Sequence, residues 1–300
     1  MSRTFRIPGT LDLLIVDEPG TILAMSRDQR LDRDFTSKGP LFNRIAARRI
    51  RRVLALDGEP FPAVAPHGPD RPSPAQNALE ERLDKLQPPC PGAQLQTLAD
   101  YVLGQSEERP LGPLVQEVLG RLFVPDYAAN AESFEDARLL DAAARSNNPL
   151  RQALWRMTGR IELARQRLAE RAENDLAALH TTAIAVHNLV RAFERMRALA
   201  QHPGALRRIP SAEAASRCLA APNSIVRQAT AAGSMEEGSF RPGTLVLFRL
   251  ERARDRSLRH DVAFMTTSWS RCPAHAWVPR LLSAVWESAA LDQERERQAS

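Results

Sequence analysis

A chain of 300 residues, 43% hydrophobic with a mean hydropathy of −0.35 and no run of 18 apolar residues, can bury one large core or two smaller ones, and no membrane span is expected of it. Its net charge of +5 comes almost wholly from arginine, Lys38 and Lys85 being the lysines, and no helix-turn-helix, finger or RNA-binding signature accompanies it, so nucleic acid is not the expected partner. Three scattered cysteines, Cys90, Cys218 and Cys272, cannot make a disulfide framework, and the N-terminal MSRTFRIPGTLDLL lacks the apolar core and cleavage site of a signal peptide; a cytoplasmic location is expected.

In chain order, residues 8–56 read as short strands and a helix. The densest cationic cluster, AARRIRR at 46–52, is open to two readings, a patch for phosphate or an acidic partner and a solvated helix face, of which the second is favoured. Residues 58–74 hold six prolines in seventeen positions and read as a loop. Helical periodicity resumes at Ala75 in NALEERLDKL, breaks at 88–92, and returns in QLQTLADYVLG, in LGPLVQEVLGRLFVPDY (111–127) and in FEDARLLDAAA. From 150 to 201 there is no proline, and 176–190 carries no formally charged residue, so one long helix within 168–200 is expected to cross the core. A short helix around Glu213, two or three strands up to Leu250, a polar loop and a last helix complete a mainly α chain with a minor β component and no internal repeat.

The chemistry-bearing segment is FMTTSWSRCPAH, 264–275. Pro273 suits the first turn of the helix that Trp277, Leu281, Leu282, Val285 and Trp286 imply, which makes Cys272 its N-cap. A helix N-terminus favours a thiolate by about 0.3–1 kcal/mol, and Arg271 and His275 add to that. Pro279 points to a kink or a later helix start instead. On this segment alone an inert buried cysteine fits equally well. Glu173, His180, His187 and Glu194 recur every seven residues, about two helical turns apart, too far to share an ion. Cys272 with His275 is half a zinc site without its second half, and no serine sits in a glycine-flanked nucleophile elbow.

Upstream of the cysteine loop lie, in order, AALHTT (177–182), RCLAAPNSIVRQAT with Arg217 and Arg227 ten apart, and the strand RPGTLVLFRL (241–250). This order resembles the cytochrome P-450 superfamily. Its members carry [AG]-G-x-[DE]-T-T on a long central helix, then E-x-x-R, a second arginine, a "GT" strand and F-x-x-G-x-R-x-C-x-G, whose cysteine ligates haem iron. The segment LDLLIVDEPGTILAMSRDQRLDRDF (11–35) resembles the family's N-terminal strand and helix.

The resemblance implies a reduced P-450-like fold, one domain over 1–300, with haem b as cofactor. It makes Cys272 the metal ligand within a haem-ligand loop at 264–274, and Arg227, Phe264 and His275 the cofactor-binding residues. Thr181 takes the place of the threonine that helps deliver protons, and His180 that of the acidic residue before it. The departures are as informative. Ala214 stands where the E-x-x-R glutamate belongs, with Glu213 one residue early yet able to pair with Arg217 at i,i+4; both loop glycines are missing; and Phe264 to Cys272 is one residue longer than the pattern. The expected function is a haem-thiolate oxidoreductase, a monooxygenase or a peroxide-using or isomerising enzyme, acting on a small hydrophobic substrate with a ferredoxin-type reductase or peroxide as co-reactant. The alternative is a catalytically degenerate, haem-free P-450-like scaffold or auxiliary partner of a biosynthetic enzyme.

Overall fold

In the computed structural model, which describes residues 2–62, 65, 74–105, 110–146, 148–235 and 238–299, the chain opens with strands Ser2–Ile7 (β1) and Leu11–Val16 (β2) and helix Pro19–Ser26 (α1). Strand Leu31–Asp32 (β3), helix Leu41–Val53 (α2) and the small hairpin of Ala55–Leu56 (β4) and Glu59–Pro60 (β5) follow. Helices then succeed one another: Pro74–Asp84 (α3), Gly92–Leu103 (α4), Leu111–Gly120 (α5), Ala131–Arg145 (α6), Pro149–Met157 (α7), Arg160–Arg171 (α8) and Leu176–His180 (α9). A π-helical turn, Thr181–Ala185, joins α9 to Val186–Ala200 (α10). Ala205–Arg208 (α11) and Ser211–Cys218 (α12) lead to strands Ile225–Ala229 (β6), Gly233–Met235 (β7), Gly238–Phe240 (β8) and Leu245–Phe248 (β9). Helices Leu250–Ser257 (α13), His260–Phe264 (α14) and Trp277–Ala299 (α15) come last. The protein is mainly α with a minor β component. Residues 63, 64 and 66–73 of the proline-rich stretch lie outside the described residues. Among the described residues no helix is long and apolar enough to cross a membrane.

The chain forms two compact units, each assembled from three separated segments. The first comprises Met1–Pro74, Leu139–Arg165 and Ala221–Cys272. Its sheet has the order β1-β2-β9-β6-β3, with β2 and β9 parallel and the other neighbours antiparallel. In β2 the side chains alternate, so that Asp12, Leu14 and Val16 are fully buried. A buried carboxylate needs partners, and Asp12 has Arg241 Nε at 2.7 Å and Arg6 Nε at 3.3 Å. Asn43 of α2 donates to the carbonyls of Asp12 (2.6 Å) and Gly243 (2.9 Å), tying helix to sheet. The glycine of the "GT" strand has a specific reason: Gly243 (φ +87°) lies against Gly39 (φ +98°), and a Cβ on Gly39 would stand 2.6 Å from the Gly243 carbonyl oxygen.

The second unit comprises Ala75–Arg138, Gln166–Ala220 and Pro273–Ser300. Helices α4, α10, α12 and α15 pack together, with α5 against α10. On α15 the buried positions Trp277, Leu281, Leu282, Val285, Trp286 and Ala289 follow helical spacing, and both indoles are satisfied, Trp277 Nε1 by the Pro89 carbonyl (2.9 Å) and Trp286 Nε1 by that of Ile209 (3.0 Å). All ten residues of α5 are buried. The helix expected over 111–127 ends at Gly120 because Tyr127 folds back there: a Cβ on Gly120 would meet its ring at 2.2 Å. The long central helix begins at Asp175, whose carboxylate accepts from the N–H groups of Ala177 and Ala178. The preceding Glu173 and Asn174 sit in the left-handed region at φ +50° and +61°, which separates it from α8.

Candidate functional site

The cysteine loop starts where α14 stops. Met265, at φ +51°, turns the chain out of the helix, and the loop closes on itself as the Cys272 N–H donates to the Phe264 carbonyl at 2.9 Å. Inner turns are held by Ser268 N–H to Met265 O (2.8 Å) and Arg271 N–H to Ser268 O (3.2 Å). Hydroxyls do the shaping that glycines do in the family's pattern. Arg227 Nη2 donates to Ser270 Oγ (2.6 Å), Ser268 Oγ donates to the Ser26 carbonyl (3.0 Å), and the two serine hydroxyls are 3.0 Å apart. A guanidinium only donates and a carbonyl only accepts, so the chain is directed: Arg227 to Ser270, Ser270 to Ser268, Ser268 to Ser26. Cys272, half-buried, is not a helix N-cap as its sequence position implied. The last helix begins at Trp277, which puts Pro279 in the first turn, where its missing N–H leaves no bond unmade.

Behind the loop, in the same unit, two arginines share one indole. The guanidinium carbons of Arg33 and Arg227 lie 4.6 and 5.6 Å from the Trp269 ring. Arg227, on β6, is 5% exposed and spends Nη1 on the Val226 carbonyl (3.0 Å). Arg33 donates to the Pro62 carbonyl (3.0 Å), while its buried Nε has no hydrogen-bond partner among the described residues. Burial pushes Arg33 down to about 10, opposed by Asp32; burial, and then the Arg33 charge, hold Arg227 well below the ordinary arginine range. Two guanidiniums against the one carboxylate of Asp32 leave a surplus of positive charge around Trp269. That surplus fits a carboxylate-bearing ligand, and the half-buried sulfur of Cys272 in the same loop fits a soft metal; together they are the donor types that a haem, with its propionates and iron, requires. The loop's outer face forms an open cleft of about 350 Å³ between Arg27 and Gln29 and residues 266–269 and 271.

His180 and Thr181 lie in the second unit, at the junction between α9 and the π-helical turn. Such turns leave a carbonyl without its usual helical donor. Here Gln116 of α5, fully buried, reaches the turn: its Nε2 donates to the carbonyls of Thr182 (3.0 Å) and Ser133 (3.2 Å), and its Oε1 accepts from the Ser133 hydroxyl (2.7 Å). Thr182, not Thr181, back-bonds to the helix, its hydroxyl donating to the Ala178 carbonyl at 2.8 Å. Among the described residues no intramolecular hydrogen bond engages the half-buried Thr181 hydroxyl. His275 places Nε2 3.8 Å from Glu80 Oε1.

Phe264, Cys272 and Arg227 are therefore brought together, the first two by a backbone bond and the third through Ser270. The altered E-x-x-R pair forms on the surface: Glu213 and Arg217 pair at i,i+4 with side chains 46% and 49% exposed, while Ala214 is fully buried. Sequence reasoning missed Arg33, Trp269, Ser270 and Gln116. Of these only Trp269 carried a signal, an aromatic in a polar loop.

No protein-family model matches the chain, and no curated protein matches it. Solved structures do. CYP154C4 from Streptomyces sp. ATCC 11861 is 15% identical with a TM-score of 0.63, the match covering 96% of this chain and 84% of that one. The P450 RauA (CYP1050A1) is 13% identical with a TM-score of 0.61, over 93% and 84% of the two chains. The cytochrome P450 enzyme CxnD, for C–S bond formation in chuangxinmycin biosynthesis, is 13% identical with a TM-score of 0.60, over 96% and 82%. Likeness over nearly the whole chain at such low identity is likeness of fold, and the fold of this protein is that of the cytochromes P450.

Proposed function

We propose that residues 1–300 form one P-450-like domain that binds haem b through Cys272 and oxidises a small hydrophobic substrate in the cytoplasm. The single observation that carries this reading is that, in a P-450-like fold, the loop bearing the half-buried Cys272 also carries Trp269, about which Arg33 and Arg227 gather from other segments. A haem held by a thiolate supplies oxidative chemistry, with the sulfur raising electron density at the iron. Cys272 would lose its proton on ligation, while the N–H bond to the Phe264 carbonyl fixes the backbone that carries it. Arg33, through its unused Nε, and Arg227 would take the carboxylates, which relieves the cost of two buried like charges.

In the roles that the resemblance gives them, Thr181 would hold a proton at Oγ1 and His180 would relay one. An imidazole relays protons near neutral pH but supplies no fixed negative charge, so a co-reactant that already carries its protons, such as peroxide, suits this pair better than a ferredoxin-type reductase with dioxygen. A second reading, a haem-free P-450-like partner of a biosynthetic enzyme, is supported by a different observation: Arg227 already spends two donors on Ser270 and Val226.

The test is the absorbance spectrum of the purified protein. A red protein whose reduced carbon monoxide complex absorbs at the thiolate position, lost in Cys272→Ala, is expected. Colourless protein that takes up no added hemin would remove the first reading and leave the second. Turnover driven by a ferredoxin system but not by peroxide would overturn the assignment of His180.

A further inference from the structure

The arginine cluster of α2 has no place in the haem reading. On this helix Asn43, Ala47, Ile50 and Val53 face the core at helical spacing, Ala46 and Arg49 are half-buried, and the other positions are exposed. It carries five arginines and no acidic residue, as many charges as the whole chain's net +5. Arg49 is tied inward, Nη1 donating to the Ser146 carbonyl. The side chains of Arg44, Arg48, Arg51 and Arg52 are exposed and have no ion-pair or hydrogen-bond partner among the described residues, whereas Arg30, Arg145 and Arg217 each pair with a carboxylate close in sequence. An isolated row of like charges on one helix is unfavourable unless something neutralises it.

At the N-terminal end of the same helix, three large apolar side chains stand in solvent: Leu41 (47% exposed), Phe42 (54%) and Ile45 (52%). The Leu41 and Phe42 N–H groups donate to the carbonyls of Gly9 and Thr10, both at 3.0 Å, which docks this end on the β1–β2 turn beside Ile7, itself 54% exposed. Apolar knobs at one end and unneutralised arginines along the rest form a surface that buries its knobs among acyl chains while its cations meet headgroup phosphates. A purely acidic polypeptide surface would answer the charge, but it would leave the apolar knobs without a matching face.

We propose that α2, with the β1–β2 turn, docks this protein peripherally on a membrane bearing anionic phospholipid. The experiment is sedimentation of the full chain with vesicles of phosphatidylcholine, with and without phosphatidylglycerol, across a salt series. Binding to the anionic vesicles alone, falling with salt, is expected. Arg48→Gln/Arg51→Gln/Arg52→Gln should bind about a hundredfold more weakly, about fivefold per arginine. Phe42→Gln should weaken vesicle binding and leave binding to poly-glutamate unchanged. These positions are exposed, so circular dichroism and thermal melting should match the parent chain. Equal binding to both vesicle types, no binding at low salt, or full binding by the triple variant would overturn the proposal. So would capture by poly-glutamate without capture by anionic vesicles, which would assign the patch to an acidic protein. None of these readings depends on haem.

Discussion

Gln116 donates its side-chain amide to the Thr182 carbonyl at 3.0 Å, so a residue of a different helix bonds into the π-helical turn of the long helix. Gln116→Leu would keep the volume and remove the donor, leaving the buried carbonyls of Thr182 and Ser133 without it. Each such loss costs about 1–3 kcal/mol. A fall of about 2–4 kcal/mol in unfolding free energy by urea titration, with an unchanged m-value, is expected. A loss under about 1 kcal/mol would mean that the turn is held by something else.

Ser270 links Arg227 to the loop that carries Cys272. Ser270→Ala breaks that chain and strips a buried guanidinium of its hydroxyl partner, at a cost of about 1.5–3 kcal/mol. The loop should loosen with it. Labelling of Cys272 by a disulfide reagent is expected to quicken in this variant, while the buried Cys90 and Cys218 stay unreactive in the folded protein. An unchanged Cys272 labelling rate would show that the serine chain does not hold the loop.

The displaced ion pair gives two opposite expectations. Glu213→Ala removes a half-exposed i,i+4 partner of Arg217 and should change stability by no more than about 0.5 kcal/mol. Ala214→Glu restores the residue type that the E-x-x-R pattern has at that position, but it places a carboxylate at a fully buried site and should cost more than about 2 kcal/mol. Thermal melts of the two variants side by side decide the matter. A stable Ala214→Glu protein would show that the site can open to its arginine after all.

Glu18 caps α1, its carboxylate accepting from the N–H groups of Thr21 and Gly20. The Thr21 N–H bond leads the effects that hold its carboxyl below the ordinary glutamate value. A lowered folded-state value means that the cap stabilises fully above the unfolded value of about 4.3 and fades as pH falls through the lowered one. Glu18→Gln should therefore be about 0.5–1 kcal/mol less stable at neutral pH, and the gap between the two proteins should close below about pH 4. A gap that persists in acid would show that the charge plays no part.

Much of this molecule is written locally. The spacing of Leu281, Leu282, Val285 and Trp286 predicts the buried stripe of α15, and AARRIRR lies on a helix whose arginines Arg48, Arg51 and Arg52 are exposed. The "GT" strand forms where its sequence stands. Caps, prolines and apolar periods act over a few residues, so a window of the chain contains their whole physics.

What converges from distant segments is absent from any such window. Nothing near Leu245 says that its strand lies parallel to the one through Leu13, and nothing near Thr182 announces that Gln116 will bond into its turn. The cysteine illustrates the division best. Its place in an ordered series of motifs sufficed to indicate a P-450-like fold. The surroundings that give it chemical meaning, Arg33 and Arg227 about Trp269 and the serine chain to Ser26, came from three separated segments, because burial and charge pairing are properties of the packed whole.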